Sequence, residues 1–384
     1  MVGAVAAMRR LALTLRCVQN HAAIRRRMAS TDIPERERFL VLDGMRGLAA
    51  LAVITDHVYS PALTGFLASR YLAVDFFFVL SGFVLMHVYG ARLARGMSVT
   101  AFMQARLSRL YPLYVAGLAI GVLHAVLMTF KGWSDVSWGQ LAAGAGFGLF
   151  VLPTPPALSP TTDNIYPFDG PAWSLFFELV SNLAFAALFL RLNERVLGAI
   201  VAVSAAALAF TAFTYGRVDG GHAWANFAGG FPRVFYGFFA GVLTYGVYRA
   251  AKLPALPAWA AFAILLALLA LPGEGAVRAP LELFATLIAF PLLVLFSANA
   301  HVGGAAGWAA YWAGLLSYGV YILHVPIRDW LNAGLHIVAP DWAPPGALMV
   351  ALVAGCALAA ALVLHVIYDV PARRWLTRWR RRAP

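Results

Sequence analysis

The chain has 384 residues, 61% of them hydrophobic and 12% charged, with a mean hydropathy of +0.75; such a composition is mostly bilayer-spanning and excludes an ordinary soluble domain. A net charge of +12 does not mark a nucleic-acid binder, because the basic residues sit in the tails and between apolar runs, as the positive-inside rule expects. Two cysteines, Cys17 and Cys356, are too few and too far apart for a disulfide framework or a Cys-based centre, and no metal site is expected.

The first 38 residues hold eight arginines and no acid before Asp32. They read as a basic cytoplasmic tail on an anionic inner leaflet, or as a start placed too early, with Met28 the true initiator. Ten apolar runs follow, at about 39–58, 71–90, 110–130, 172–190, 196–215, 229–248, 257–272, 281–298, 309–327 and 345–368. The expected fold class is therefore all-α, a polytopic membrane domain over 39–371 with about ten transmembrane helices. Arg92, Arg95, Arg106 and Arg109, then Arg191 and Arg195, then Arg249 and Lys252 fall in alternate loops with the tails. That pattern predicts both termini in the cytoplasm. Residues 372–384, with Arg373, Arg374 and Arg378 to Arg382 interleaved with Trp375 and Trp379, read as a second basic tail at the membrane surface.

The first run carries Asp43, Arg46 and His57. A centrally placed arginine costs about 2.5 kcal/mol or more on insertion scales, so its presence points to a task beyond anchoring. Eleven residues are close to three helical turns. Arg46 and His57 thus share a face, roughly 16 Å apart along the axis. His57 at the outer end is a suitable general base. Arg46 can bind oxyanions in a bidentate fork or close an ion pair with Asp43 one turn back. Asp56 is adjacent to His57, but i,i+1 neighbours do not share a helix face.

The longest non-cytoplasmic connection, about 131–171, holds a dozen weakly apolar residues from Leu141 to Leu152 and then a Pro-rich piece. The dozen is too short to span and reads as a re-entrant or interfacial helix able to cap a cavity. Pro171-Ala172-Trp173-Ser174 starts the next helix, since Pro suits a first turn and Trp an interface. Glu178, two turns inside, is expected either to anchor Arg233 or to bind acceptor hydroxyls. His324 lies near the outer end of the ninth run, and Ser81-Gly82 reads as a close helix-packing point. No Gly-x-Ser-x-Gly elbow, His-Glu-x-x-His or P-loop occurs, which removes the usual serine hydrolase, zincin and NTPase readings.

Five segments together resemble the acyltransferase-3 family of membrane O-acyltransferases, in that family's order over about 39–371. They are Leu42-Asp43-Gly44-Met45-Arg46 with His57; Val74-Asp75-Phe76-Phe77-Phe78 through Ser81-Gly82-Phe83; Arg106-Leu107-Ser108-Arg109; Trp173-Ser174-Leu175 with Glu178; and Ser317-Tyr318-Gly319-Val320-Tyr321 through His324. The resemblance implies transfer of an acyl group, usually acetyl, from cytosolic acyl-CoA as cosubstrate to a hydroxyl of a glycan or cell-envelope polysaccharide beyond a bacterial inner membrane. It implies His57, Arg46 and Glu178 as catalytic and Arg106 and Arg109 as a clamp on CoA phosphates. Asp43, Trp173, Ser174, Arg233 and His324 would bind the acceptor or support the site. Two departures stand out: Leu179 occupies a position that is often acidic, and Asp369-Val370-Pro371 replaces a more usual Glu-x-Pro. The extracytoplasmic esterase-like domain of many relatives is lacking, so the chain is expected to act alone or with a separate partner. Other readings are a small hydroxylated metabolite or lipid as acceptor, and a non-enzymatic carrier using Arg46, Glu178 and His57 as a path.

Overall fold

The computed structural model describes residues 39–58, 65–161 and 163–382, with side chains to residue 378. The basic tail at 1–38 and the alternative start at Met28 lie outside the described residues.

Every apolar run lies in a helix. We number them α1 (Leu40–His57), α2 (Ala73–Ala94), α3 (Val99–Phe130), α4 (Trp138–Leu149), α5 (Ala172–Leu188), α6 (Glu194–Tyr215), α7 (Gly230–Ala250), α8 (Ala258–Leu269), α9 (Arg278–Ser297), α10 (Gly304–Val338), α11 (Gly346–Leu364) and α12 (Val370–Arg382). No strand occurs among the described residues; a lone bridge joins Asn164 to Ala223. Among the described residues six helices are long and apolar enough to cross a bilayer: those ending at Ala94, Phe130, Arg191, Tyr215, Ser297 and Arg378. Their outer faces carry Val203, Phe210, Phe213, Val363, Val366 and Ile367, all exposed. Large apolar side chains in such numbers need lipid rather than water around them. The chain is an integral membrane protein.

Two helix pairs form the centre. α1 lies along α10, because Gly47 has no Cβ to strike the Ala313 backbone. α2 lies along α7 through Gly82 and Gly241, where a Cβ on either would collide with the partner's backbone, at Phe238 and Val79 respectively. Small residues let membrane helices approach this closely, so the Ser81-Gly82 expectation matches the packing seen. α4 is the expected short helix: twelve residues, opened by a Ser137–Gln140 capping box. Its C-terminal carbonyls accept hydrogen bonds from Tyr114 (Gly148 O, 2.6 Å) and Tyr111 (Leu149 O, 2.8 Å), which ties it to the middle of α3.

Prolines shape the helices without ending them. A proline lacks the N–H that would bond the carbonyl four residues back. Pro291 in α9 therefore frees Leu287 O, which takes the Tyr236 hydroxyl instead. Pro371 follows a π-turn at His365–Asp369 that joins α11 to α12, and Pro326 leaves Ile322 O of α10 without its helical donor.

Candidate active site

α1 and α10 run parallel and in register. Arg46 donates from Nε to Ser317 Oγ (2.9 Å) and pairs with Asp43 (3.0 Å), while about two α10 turns further along His57 meets His324. The expected shared face of Arg46 and His57 is therefore the face turned to α10.

The histidine contact fixes a tautomer. His324 Nδ1 lies 2.7 Å from the carbonyl oxygen of Tyr321, which can only accept, so the His324 proton sits on Nδ1. A neutral His324 then presents Nε2 as an acceptor. His57 Nδ1 lies 3.0 Å from that Nε2 and 3.2 Å from Val53 O, two acceptors, and so carries its own proton on Nδ1. What is left is the lone pair of His57 Nε2. A ring so oriented can take a proton at Nε2, and His324 then stabilises the imidazolium from behind, as a third group orients the base in hydrolytic triads. Arg328 holds the end of α1 by donating to His57 O at 2.8 Å. Asp56 pairs with Arg70 (3.2 Å).

One level back along α10, the polar residues of α2, α3 and α5 converge. Glu178 Oε1 accepts from Arg106 Nη2 and from Ser81 Oγ, both at 2.8 Å. With its amide oxygen facing α3, Asn182 accepts from Arg106 Nε at 3.2 Å. Arg106 is buried by these contacts. Arg109, one turn on, has neither ion pair nor hydrogen bond among the described residues, is exposed, and stands within electrostatic reach of Arg106, Arg46 and Arg373. The expected two-arginine clamp thus divides into a residue tied to Glu178 and a residue with its guanidinium unengaged.

Arg233 corrects one pairing. The sequence expectation allowed Glu178 as its anchor, but all five N–H groups of Arg233 are used elsewhere. Nε and Nη2 grip the two oxygens of Asp75 (2.8 Å each), Nη2 also reaches Tyr71 O (3.3 Å), and Nη1 reaches Asp219 (3.2 Å) and Gly220 O (3.1 Å). The Trp173 ring lies 5.2 Å from its guanidinium carbon. Glu178 lies one level below, where Arg106 is the near cation. Ser174 Oγ shares a 2.7 Å hydrogen bond with Tyr321 OH, whose own backbone carbonyl holds His324. Asp43, Arg46, Ser317 and Glu178 with Arg106 and Arg109 thus form one level, and Ser174, Tyr321, His324 and His57 the next.

Two groups in loops beside the histidine level have displaced titrations. At the rim formed by Trp173 and Asp219, lost hydration and then the charges of Arg233 and Arg217 push His222 down to about 4, although two-fifths of its side chain meets solvent. It is neutral at physiological pH. Asp169 is 1% exposed with neither carboxyl oxygen hydrogen-bonded; burial, then the charge of Asp329, holds it well above the usual carboxylate range. Sequence reading gave no role to Asp75 or Tyr321, though both lie in the five family segments, and missed Asp169. Asp75 carries the signal that could have found it, as a carboxylate inside an apolar run that requires a cation.

A model of the family described as "Acyltransferase domain" matches residues 39–364. "Protein 2 in picA locus" of Rhizobium radiobacter is 40% identical over 181 residues, 45% of this chain and 93% of that protein. "Acyltransferase MdmB" of Streptomyces mycarofaciens is 32% identical over 176 residues, 42% of each chain. No solved structure matches. With the family model covering most of its length and a bundle built around the same five segments, the chain belongs to the acyltransferase-3 family.

Proposed function

We propose that the protein is a ten-span membrane O-acyltransferase with both termini in the cytosol. It moves an acetyl group from cytosolic acetyl-CoA to a hydroxyl of a saccharide on the far side of a bacterial inner membrane. The observation that carries this reading is the pairing of two levels along α1 and α10: an arginine level at the basic end, where a thioester donor's phosphates would be held, and a histidine level beyond it with a free imidazole lone pair.

The chemistry follows from those groups. CoA phosphates bind Arg109 with Arg46 and Arg106 close by, since guanidinium forks suit phosphate oxygens. The pantetheine arm runs past Tyr318 and Tyr321 towards His57. His57 Nε2 takes the acceptor's hydroxyl proton, the oxygen attacks the thioester carbonyl, and the carbon–oxygen bond forms as the carbon–sulfur bond breaks. The proton gained by His57 leaves with the thiolate, so the ring returns to its starting tautomer. Trp173 and neutral His222 stand at the rim through which a sugar would approach.

Proteoliposomes loaded with a saccharide acceptor and given labelled acetyl-CoA outside test this reading. Transfer of label to the acceptor, lost in His57→Ala, supports it. Label crossing without covalent transfer would make the protein a carrier, and label on a lipid or small metabolite alone would replace the saccharide. Comparing envelope polymer acetylation in a deletion strain with its parent tests the acceptor in the cell.

A further inference from the structure

The arginine level contains four guanidinium groups, and three have dedicated carboxylates. Arg46 has Asp43, Arg106 has Glu178, and Arg373 has Asp369. Arg109 alone among them is unengaged. Arg373 comes from α12, which the apolar-run reading treated as a membrane-surface tail. The structure packs α12 against α3. It fixes Arg373 by two bonds to one fully buried carboxylate, Nε to Asp369 Oδ1 and Nη2 to Asp369 Oδ2, each 2.6 Å, with His365 on that same carboxylate at 3.2 Å. With Nε and Nη2 held by Asp369, Nη1 has no carboxylate partner among the described residues, and Arg373 stands within electrostatic reach of Arg109. Beside it, Arg373, Arg374, Thr377 and Arg378, all on α12, border an open surface groove of about 300 Å³. No carboxylate faces Arg374 or Arg378 among the described residues.

We propose that α12 is the second half of the donor site. Arg109 and Arg373 together take the diphosphate of CoA, and the groove at Arg374, Thr377 and Arg378 takes the phosphorylated ribose end. This deepens the acyl-CoA reading and rests on it. The physical ground is charge balance. An excess of unneutralised guanidinium groups around accessible space repels itself unless a polyanion fills it, and CoA carries its phosphates at one end and its thioester at the other. α12 would then lie against the nucleotide while the arm points up α3 towards His57.

The test uses the full chain in detergent or nanodiscs and measures equilibrium binding of acetyl-CoA, 3′-dephospho-acetyl-CoA and an acetylated pantetheine lacking the nucleotide. Arg374→Ala with Arg378→Ala, both on the outside of the helix, should weaken acetyl-CoA binding about tenfold or more. They should weaken the dephospho form less, leave binding of the truncated donor unchanged, and flatten the salt dependence of acetyl-CoA binding. Arg373→Lys, which keeps the charge but loses the planar fork, should weaken both nucleotide donors. Equal acetyl-CoA affinity in wild type and double variant would overturn the proposal while leaving the acyl-CoA reading intact. If that equality came with lost binding to anionic vesicles, the helix would be a lipid-headgroup contact instead. A wild-type protein that binds no acetyl-CoA would overturn both.

Discussion

His57 and Arg46 could be picked out by spacing and cost alone, because a membrane helix rarely carries either without a use. The partner of His57 could not. His324 lies 267 residues away in sequence, and only the parallel packing of α1 on α10 brings the rings together. The tautomer argument gives the two histidines different weights. His57→Ala should lower kcat about a hundredfold or more, the usual worth of a general base. His324→Ala should lower it about tenfold with little change in donor KM, and His324→Gln, whose amide oxygen can accept from His57 Nδ1, should recover part of that loss. In a His57→Ala background the His324 substitutions should have no further effect. A His324→Ala enzyme as fast as wild type would remove the orienting role. Arg233 was legible as an intramembrane charge but not as an Asp75 partner. Its five satisfied donors make it a structural residue, so Arg233→Ala should destabilise by about 3–5 kcal/mol through the stranded Asp75, and Arg233→Met with Asp75→Leu should recover most of that in thermal melts.

The ten runs read from hydropathy all became helices, since apolar length is a local property that burial in lipid or protein rewards alike. What hydropathy could not show is which helices touch lipid. α1 carries Asp43, Arg46 and Asp56 within eighteen residues and is sheltered between α10 and α2, whereas α6 and α11 turn apolar faces outward. The loop that covers the histidine level was legible as a short helix followed by prolines, but the placement of Asp169 was not. Its carboxyl lies 3.1 Å from where a Cβ on Gly117 would be, as does Ile322 O, the carbonyl that Pro326 leaves without a helical donor. Burial without a hydrogen-bond partner favours the neutral carboxyl there. The folded protein keeps that proton while the unfolded chain releases it above about pH 4. Its contribution to stability is therefore fully present below about pH 4 and is lost as pH rises through the raised folded value, by at most about 1.4 kcal/mol per pH unit. Asp169→Asn, with the same shape and no charge to lose, should melt at higher temperature than wild type at pH 8 and show a flatter pH dependence between about 4 and 8. An unchanged slope would mean that Asp169 is ionised in the fold.

Across the whole molecule, charge is sorted by end. Arg92, Arg95, Arg191, Arg195, Arg249, Lys252 and the basic face of α12 belong to the end where α3 starts and α2, α5 and α7 finish. At the opposite end the arginines are matched by acids: Arg70 with Asp56, Arg217 with Asp219, Arg278 with Glu282 and Arg328 with Asp329. Excess positive charge at one end and balance at the other is the pattern that membrane insertion reads as cytosolic and translocated. The same asymmetry suits the proposed transfer, in which a CoA donor would bring phosphates from the cytosol while a saccharide would bring none. In a background without Cys17 and Cys356, cysteines at Thr100, in the first turn of α3, and at Asp135, in the loop before α4, should differ in intact cells. Both positions are exposed. An impermeant thiol reagent should label only Asp135→Cys, and permeabilisation should expose Thr100→Cys. The reverse pattern would place the arginine level outside, away from any cytosolic thioester, and transfer would then need another donor. Equal labelling of both before permeabilisation would break the link between the two levels and the two sides of the membrane, leaving His57 and Arg109 neighbours in one compartment rather than the ends of a path across it.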